Sequence, residues 1–217
     1  RFLHNETAMA IQERLQWAFR SNPRARDAIS PWNWKKTRFA QDDQHPVVMV
    51  SWFDAVQFAE WLGRRTGLSC ALPSEAQWEY ACRGGQAAPF HFGAVISTDQ
   101  ANYYGGATYG AGELGVYRRG TTPGGIFPPN RYGLHDMHGN VWEWCQDQYS
   151  EDFYSRPQAQ EKNPAYRTAI GFRIERGGSW SSSPDMVRSA YRGGSYPDTG
   201  KDGTGFRLVL SGLRPSL

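Results

Sequence analysis

The C-terminal third of the chain contains three short blocks: Arg176-Gly-Gly-Ser-Trp180, Arg188-Ser-Ala-Tyr-Arg192 and Gly205-Phe-Arg-Leu-Val209. Runs of Ser, Gly, Asp, Tyr and Thr separate these blocks. Small polar residues of this kind need no partner in a hydrophobic core, so the pattern predicts a rigid strand framework that carries exchangeable surface side chains. We therefore expect the function of the chain to lie in the polar runs.

The length and composition predict a single domain over residues 1–217, in which residues 1–45 form an atypical N-terminal part. The chain has 217 residues, with 9 Trp, 11 Tyr and 11 Phe beside 24 Gly and 13 Pro. This mixture favours irregular backbone that large buried rings hold in place, so the loops are expected to be ordered. The sequence begins at Arg1 without Met, and we interpret it as a cut or processed piece of a larger multidomain protein.

Charge, hydropathy and cysteine content exclude several classes of function. The formal net charge is +3, and Lys and Arg are dispersed among Asp and Glu, which predicts no nucleic-acid partner. No apolar run approaches the ~18 residues of a membrane-spanning helix, so no membrane insertion is expected. The spacing of Cys70, Cys82 and Cys145 fits neither a zinc knuckle nor a disulfide framework. Unpaired thiols and the lack of a visible signal peptide favour a cytoplasmic location.

Two capping boxes predict two helices. The first helix is expected to begin after Ser51 and to end at Gly67, and the second to begin after Ser74 and to end at Gly84-Gly85. The other predicted elements are a helix over residues 5–20, a strand over Val47–Val50, strands at about 140–146, 172–180, 187–192 and 205–210, and a long loop over residues 86–130. A loop of that length needs a bound ion or aromatic anchors to be ordered, and the candidate anchors are Phe90, Phe92, Tyr103, Tyr104 and Tyr117.

Four blocks carry a resemblance to a known family. They are Pro46-Val-Val-Met-Val-Ser-Trp52, Leu72-Pro-Ser-Glu-Ala-Gln-Trp-Glu-Tyr80, Tyr132-Gly-Leu-His-Asp-Met-His-Gly-Asn-Val-Trp-Glu-Trp144, and Arg176-Gly-Gly-Ser-Trp180 with Gly205-Phe-Arg207. In this order they resemble the formylglycine-generating enzyme (sulfatase-modifying factor) family over about residues 46–210. The resemblance implies an α+β, C-type-lectin-like fold with a small twisted antiparallel sheet, two flanking helices and long ordered loops.

The same resemblance predicts that copper-dependent oxidation is absent. The enzymes of this family bind copper through two cysteines shortly after the Gly-Gly-Ser-aromatic block. Those positions fall here on Ser182 and near Met186 or Val187. A serine hydroxyl stays protonated near neutral pH and is a hard, weak ligand for a soft Cu(I) ion. We therefore expect no copper and no oxidation at this position.

The segment from Gly177 to Val209 also resembles the variable region of proteins that are diversified by retroelements. In those proteins, changes at template adenines alter asparagine codons, and Ser, Gly, Asp, Thr and Tyr can all arise in this way, whereas Met186 and Lys201 need other parent codons. This resemblance implies a non-catalytic ligand-binding domain with a variable surface. Undiversified relatives carry similar polar runs, and the alternative function is an oxidase or peptide-tailoring enzyme of the formylglycine-generating type.

The predicted binding surface combines rigid aromatic side chains with small adaptable polar ones, as antibody paratopes do. Its members are Trp180, Ser181, Ser182, Ser183, Asp185, Tyr191, Tyr196, Asp198, Lys201 and Asp202. The expected partner is a protein or other macromolecular ligand. The alternative is that these residues form ordinary solvated loops, with Trp180 in the core.

The family resemblance further implies a structural calcium ion. Its ligands here would be Asp136, Gly139, Val141 and Glu143. Alternate strand residues aim their carbonyls in the same direction, which suits a hard cation. The alternative is that Glu143 only accepts hydrogen bonds in the interior. A second calcium site of the family would need an acidic residue near Val116, so that site is not expected.

The remaining candidates for chemistry have structural interpretations. His135 and His138 lack a third ligand type nearby and are interpreted as loop or core residues. Of the pair Glu75 and Glu79, one is expected to cap the second helix and the other to meet Arg83. The resemblance implies a disulfide partner for Cys82 near Ala190, which is no cysteine, so Cys82 and Cys145 are expected to be buried thiols.

Overall fold

The computed structural model describes residues 32–167 and 171–211, and the helix predicted over residues 5–20 lies outside this part. Helix α1 spans Trp52–Thr66, and α2 spans Glu75–Arg83. In α1 the Ser51 side chain caps the Asp54 amide, and Gly67 ends the helix in the left-handed conformation. Ser74 and Gly84 play the same parts for α2. Both predicted helices are confirmed with their caps, because a capping box satisfies amides that the helix leaves unpaired.

Among the described residues, six short strands form two sheets. They are β1 Ser69–Ala71, β2 Trp142–Gln148, β3 Arg173–Arg176, β4 Gly193–Ser195, β5 Thr204–Gly205 and β6 Val209–Ser211. One sheet has the order β4-β3-β2-β5, and β1 pairs with β6 in the other. The pairings are antiparallel except that of β2 with β5, which is parallel, so the larger sheet is mixed. Two short 3-10 helices, Phe153–Ser155 and Pro157–Gln160, follow β2.

The strands predicted at about 140–146 and 172–180 correspond to β2 and β3, but the other strand predictions are wrong in detail. Val47–Val50 forms no strand, because Met49 has a positive φ of 61° that breaks the extended conformation. Residues 187–192 form turns, and the strand begins only at Gly193. The strand expected over 205–210 is interrupted, so that β5 and β6 belong to different sheets. Strand β1 was not predicted, since three residues are too few to show a periodicity.

The long loop over residues 86–130 contains no helix or strand, and buried aromatic rings hold it in place. Phe90 and Tyr103 are fully buried and pack with Ile96, Ala101 and Val187. The Tyr103 hydroxyl donates a hydrogen bond of 3.1 Å to the carbonyl of Ile96. The aromatic anchoring expected from the sequence is therefore confirmed for these two rings.

The core lies between the helices and the larger sheet. Trp78 and Cys82 of α2 pack against Cys145 and Ile174 of the sheet. On the other side, Trp144 packs against α1. Cys82 and Cys145 are buried free thiols, as expected.

Candidate ligand-binding surface

Two glycines connect the end of β3 to the polar run that begins after Trp180. Gly177 and Gly178 have φ values of 92° and 74°, in the region that favours glycine. A Cβ at Gly178 would come within 2.4 Å of Val187 Cγ1, so only glycine fits this crossing. The Trp180 amide then donates a hydrogen bond of 2.9 Å to the Asn140 carbonyl, which fixes where the polar run begins.

A buried guanidinium fixes the loop after this run. Arg176 is fully buried, and its Nη2 atom donates to Glu79 Oε2 at 2.5 Å and to the Ser189 carbonyl at 2.6 Å. Its Nη1 atom donates to the Tyr191 carbonyl at 2.9 Å and to Glu75 Oε1 at 3.3 Å. The block from Arg188 to Arg192 is therefore attached to α2 through charge-assisted hydrogen bonds.

The two glutamates of α2 belong to this network. The Glu79–Arg83 ion pair is confirmed, with a distance of 2.7 Å. The expectation that Glu75 caps the helix is wrong, because its carboxylate binds Arg192 through Nε at 2.7 Å and Nη2 at 2.8 Å. The amide of Glu75 instead donates to Asp147 Oδ2 at 2.7 Å, so a residue of β2 satisfies the first turn of α2.

A second buried carboxylate holds the end of the polar region. Glu175 accepts a hydrogen bond from Lys201 Nζ at 2.9 Å and another from the Thr204 hydroxyl at 3.0 Å. The Lys201 ammonium is therefore bound to Glu175 and is only partly available to a ligand. The more accessible residues lie in the turns on either side of Lys201.

The ten predicted surface residues differ in exposure. Ser181, Asp185, Tyr196 and Asp198 are exposed, whereas Trp180, Ser183, Tyr191, Lys201 and Asp202 are half-buried. Ser182 is buried, contrary to its prediction as a surface contact, because its hydroxyl accepts the Ser179 amide at 3.0 Å. We call residues 180–203 the polar surface; nine of the ten side chains are at least partly accessible there.

Trp180 belongs to a group of aromatic rings and not to one of the core clusters. Its ring lies 5.4 Å from that of Phe39 and 6.1 Å from that of Tyr117, measured between centroids. Its indole N–H donates to the Asp202 carbonyl at 3.3 Å. Sequence reasoning missed Phe39 and treated Tyr117 only as a loop anchor, because rings that are distant in sequence carry no shared pattern.

The residues at the copper positions do not fit copper. The Ser182 hydroxyl lies in a small network with Ser179, Val187 has no donor atom in its side chain and is fully buried, and Met186 offers a thioether but no thiolate. Burial raises the pKa of the Cys82 thiol to about 12 and the pKa of Cys145 well above its ordinary value. Neither thiol is thus available as a thiolate, the form that binds metal. The described residues also contain no cluster of three or more His, Cys, Asp and Glu side chains arranged to hold a metal.

The histidines have the structural roles that the sequence suggested. His138 is buried, and its Nε2 accepts the His91 amide at 3.1 Å, so that Nδ1 carries the proton donated to the Val187 carbonyl at 2.7 Å. Burial lowers the pKa of His138 to about 3, which keeps the ring neutral. His135 pairs with the carbonyl of Phe127 at 2.7 Å.

At the predicted calcium position an arginine already neutralises the carboxylate. Glu143 accepts hydrogen bonds from Arg207 through Nε at 2.5 Å and Nη2 at 2.7 Å, and from Trp78 Nε1 at 2.7 Å. Asp136 accepts the Gly125 amide at 2.7 Å. The Gly139 carbonyl accepts the Val141 amide at 2.9 Å. This arrangement does not suit a divalent cation unless Arg207 moves, and calcium binding stays a prediction.

The described residues, with two α-helices, one small mixed sheet, one antiparallel strand pair and long ordered loops, have the architecture of an α+β domain of the C-type-lectin-like type. The model of the sulfatase-modifying factor enzyme 1-like domain family matches residues 7–211. The chain therefore belongs to this family.

Relatives in this family carry different names. A "Formylglycine-generating enzyme" from Thermomonospora curvata is 38% identical over 182 residues, which cover 78% of this chain and 56% of the relative. A mouse protein named "Inactive C-alpha-formylglycine-generating enzyme 2" is 34% identical, over 78% of this chain and 50% of that protein. "Serine/threonine-protein kinase pkn1" from Chlamydia pneumoniae is 39% identical, over 76% of this chain and 24% of the kinase. The chain thus spans a quarter to about half the length of these relatives.

Among solved structures, variable protein 1 of Treponema denticola shares the fold. It is 22% identical with a TM-score of 0.62, over 91% of this chain and 80% of that structure. In the part of the chain that the structure describes, no helix has the length and apolar character needed to cross a membrane.

Proposed function

We propose that the chain is a non-catalytic domain that binds a protein or other macromolecular ligand through the polar surface. The observation that carries this proposal is Ser182. A hydroxyl stands where the family resemblance requires a metal-binding thiol, and the fold buries that hydroxyl in hydrogen bonds to Ser179. A serine so placed has neither the thiolate chemistry nor the accessibility that copper binding needs.

The division between framework and surface supports a binding role. Arg176 binds the backbone carbonyls of Ser189 and Tyr191, and Glu175 binds the side chains of Lys201 and Thr204. Other side chains of the polar surface, such as Ser181, Asp185 and Asp198, are exposed. A rigid backbone with exchangeable polar and aromatic side chains loses little conformational entropy when it binds a ligand.

Diversification by a retroelement is a separate part of the proposal, and the nucleotide sequence tests it. We expect a near-identical repeat of the codons for Gly177 to Val209 close to the gene, differing only where the repeat has adenine. Absence of such a repeat would remove the retroelement and leave a fixed binding surface. Differences at other bases would have the same consequence.

A copper assay tests the absence of catalysis. The full chain is titrated with Cu(I) against a chromophoric competitor, and a cysteine-containing peptide is then followed for oxidation. The relative from Thermomonospora curvata is the positive control, since it is 38% identical and is named as the enzyme. We expect neither stoichiometric Cu(I) binding nor turnover by this chain.

The alternative function is an oxidase or a peptide-tailoring enzyme, and the identity to named formylglycine-generating enzymes favours it. Stoichiometric Cu(I) binding together with peptide oxidation would establish the alternative and overturn the binding proposal. The kinase relative is much longer than the match, which supports a place for this domain within a larger multidomain protein.

A further inference from the structure

The aromatic group around Trp180 continues into the long loop. Tyr117 stacks on Trp180 with centroids 6.1 Å apart, and Tyr104 meets Tyr117 edge-on at 4.9 Å. Tyr104 is 39% exposed, and its amide donates to the Ser182 carbonyl at 2.9 Å. The loop is therefore attached to the polar run both by rings and by backbone.

Two exposed aliphatic side chains extend this group. Leu114 is 69% exposed and Val116 is 59% exposed. The Gly115 amide between them donates to the Gly105 carbonyl at 2.8 Å, which brings this segment next to the residue that follows Tyr104 in the chain. We call Tyr104, Leu114, Val116, Tyr117, Arg119 and Trp180 the aromatic face. Exposed aromatic and aliphatic side chains on neighbouring segments are typical of sites of protein interaction.

Arg119 adds a charge to the face at a conformational cost. Its φ is 61°, a left-handed backbone that a residue other than glycine adopts only at a cost of ~1–2 kcal/mol. Its guanidinium lies 5.8 Å from the centre of the Tyr117 ring and pairs with no carboxylate among residues 32–167 and 171–211. Strain that presents an exposed cation without an acidic partner is a feature of binding sites.

We propose that the aromatic face docks a protein partner that presents a carboxylate next to an apolar side chain. Arg119 would bind the carboxylate, and Tyr117, Trp180 and the exposed aliphatic side chains would cover the apolar group. This inference rests on the proposed function and extends the polar surface into a loop that lies far from it in sequence. The inference specifies that the ligand carries a negative charge next to an apolar group.

A nucleic acid suits the same face less well. Arg38 is bridged to Asp202 at 3.8 Å, and the exposed Glu113 adjoins Leu114. A phosphate backbone needs a continuous basic track, which these carboxylates interrupt. Arg119, which pairs with no carboxylate among the described residues, therefore favours one carboxylate of a protein partner over the repeated charges of a phosphate backbone.

Two pools of short fluorescent peptides test the inference by anisotropy with the full chain. The acidic pool alternates Leu or Phe with Asp or Glu, and the control pool carries Asn or Gln in place of each acid. We expect the wild-type chain to bind the acidic pool about tenfold more tightly, the gain of a charge-assisted hydrogen bond. Arg119→Asn, which tolerates the left-handed backbone, should abolish this preference, and Arg119→Lys should retain part of it.

The control variant is Arg64→Gln, which removes an exposed arginine on α1, outside the aromatic face. It should leave the tenfold preference intact, whereas Tyr117→Leu should weaken binding of both pools. Thermal melting of each variant verifies that it is folded. Equal binding of the two pools, binding of neither pool, or a preference that persists in Arg119→Asn would overturn the inference, as would tighter binding of an oligouridine probe.

A further variant separates this inference from the proposed function. Ser181→Arg places a bulky charge on the polar surface without touching Arg119. Peptide binding that Ser181→Arg abolishes but Arg119→Asn leaves unchanged would retain the proposed function and refute the aromatic face. Copper-dependent turnover would refute the proposed function whatever the peptides do.

Discussion

Arg176 carries a charge that the fold buries completely. Burial of a guanidinium is tolerated only because two carboxylates and two carbonyls surround it, and these same carbonyls belong to the loop at residues 189–191. The Arg176 side chain thus connects α2, β3 and the loop at residues 189–191, which is part of the polar surface. Its role is positional, since it holds the backbone from which the surface side chains project.

Replacing Arg176 by Met should lower the free energy of unfolding by about 3–5 kcal/mol, because Glu75 and Glu79 would lose a buried partner. Urea denaturation measures the loss. Arg64→Met is the matched control, since its pair with Glu60 is exposed on α1 and should contribute less than about 1 kcal/mol. Equal losses in the two variants would show that the buried network does not stabilise the fold.

His138 should make the fold sensitive to acid. Burial lowers its pKa to about 3, against 6.5 for a free histidine, so the unfolded chain takes up a proton first as the pH falls. This contribution to stability is complete above the unfolded pKa and is lost as the pH falls toward the folded pKa. It amounts to ~2 kcal/mol between about pH 7 and about pH 5.

Urea denaturation at several pH values tests this prediction with His138→Gln, which should lose less stability on acidification than the wild type. Burial raises the pKa of Asp54 and Asp147 and acts in the opposite direction, but it is common to both proteins and cancels in the comparison. His135→Gln is the control on the same loop. Parallel pH profiles for wild type and His138→Gln would show that another group controls the acid response.

At the scale of elements, the helix caps and the approximate positions of β2 and β3 were predictable, but the bounds and pairing of the strands were not. Ser51 and Ser74 predict where their helices begin, because each cap is a local interaction contained in four consecutive residues. The strands have two to seven residues, too few for an alternation of apolar and polar residues to be read. Their partners lie far away in sequence, and Met49 breaks an apparent strand through its backbone conformation alone.

Gly139 joins the long loop to the start of β2 and admits no side chain. Its φ is 81°, and a Cβ would come within 2.2 Å of the Asn102 carbonyl oxygen. Gly139→Ala should therefore cost at least about 3 kcal/mol in unfolding free energy, from strain and from displacement of the paired backbone. Gly67→Ala is the control, because its φ is 73° but nothing lies within 4 Å, so only about 1 kcal/mol of strain is expected. Similar costs would refute the contact argument.

The predicted calcium site also lies at the start of β2, because Gly139 and Glu143 are two of its predicted ligands. The family resemblance predicts a higher melting temperature in calcium, whereas Arg207, which binds both oxygens of Glu143, predicts the same melting temperature in calcium and in chelator. Glu143→Gln should be destabilised in both solutions, because it removes the charge that Arg207 needs. A calcium-dependent rise in the melting temperature that Glu143→Gln abolishes would establish the ion and require Arg207 to move.

At the scale of the whole molecule, sequence blocks identified the family and the C-terminal region. They could not identify the extent of the surface, because Phe39 and Tyr117 meet Trp180, and Tyr104 meets Tyr117, only in the folded chain. They also could not separate Ser182 from its neighbours. Ser181, Ser182 and Ser183 are identical in type, but the turn buries only the middle one.

The difference in burial between Ser182 and its neighbours allows a test of whether a fixed framework carries an exchangeable surface. The triple variant Ser181→Asn, Asp185→Asn and Asp198→Asn changes exposed side chains only, and its free energy of unfolding should stay within about 1 kcal/mol of the wild type. Ser182→Lys places a charge in a buried site and should cost at least about 3 kcal/mol, because the ammonium finds no partner beside Ser179. Both are measured by urea denaturation. A triple variant as unstable as Ser182→Lys would show that the polar surface is part of the framework, and a stable Ser182→Lys would place that position among the exchangeable ones.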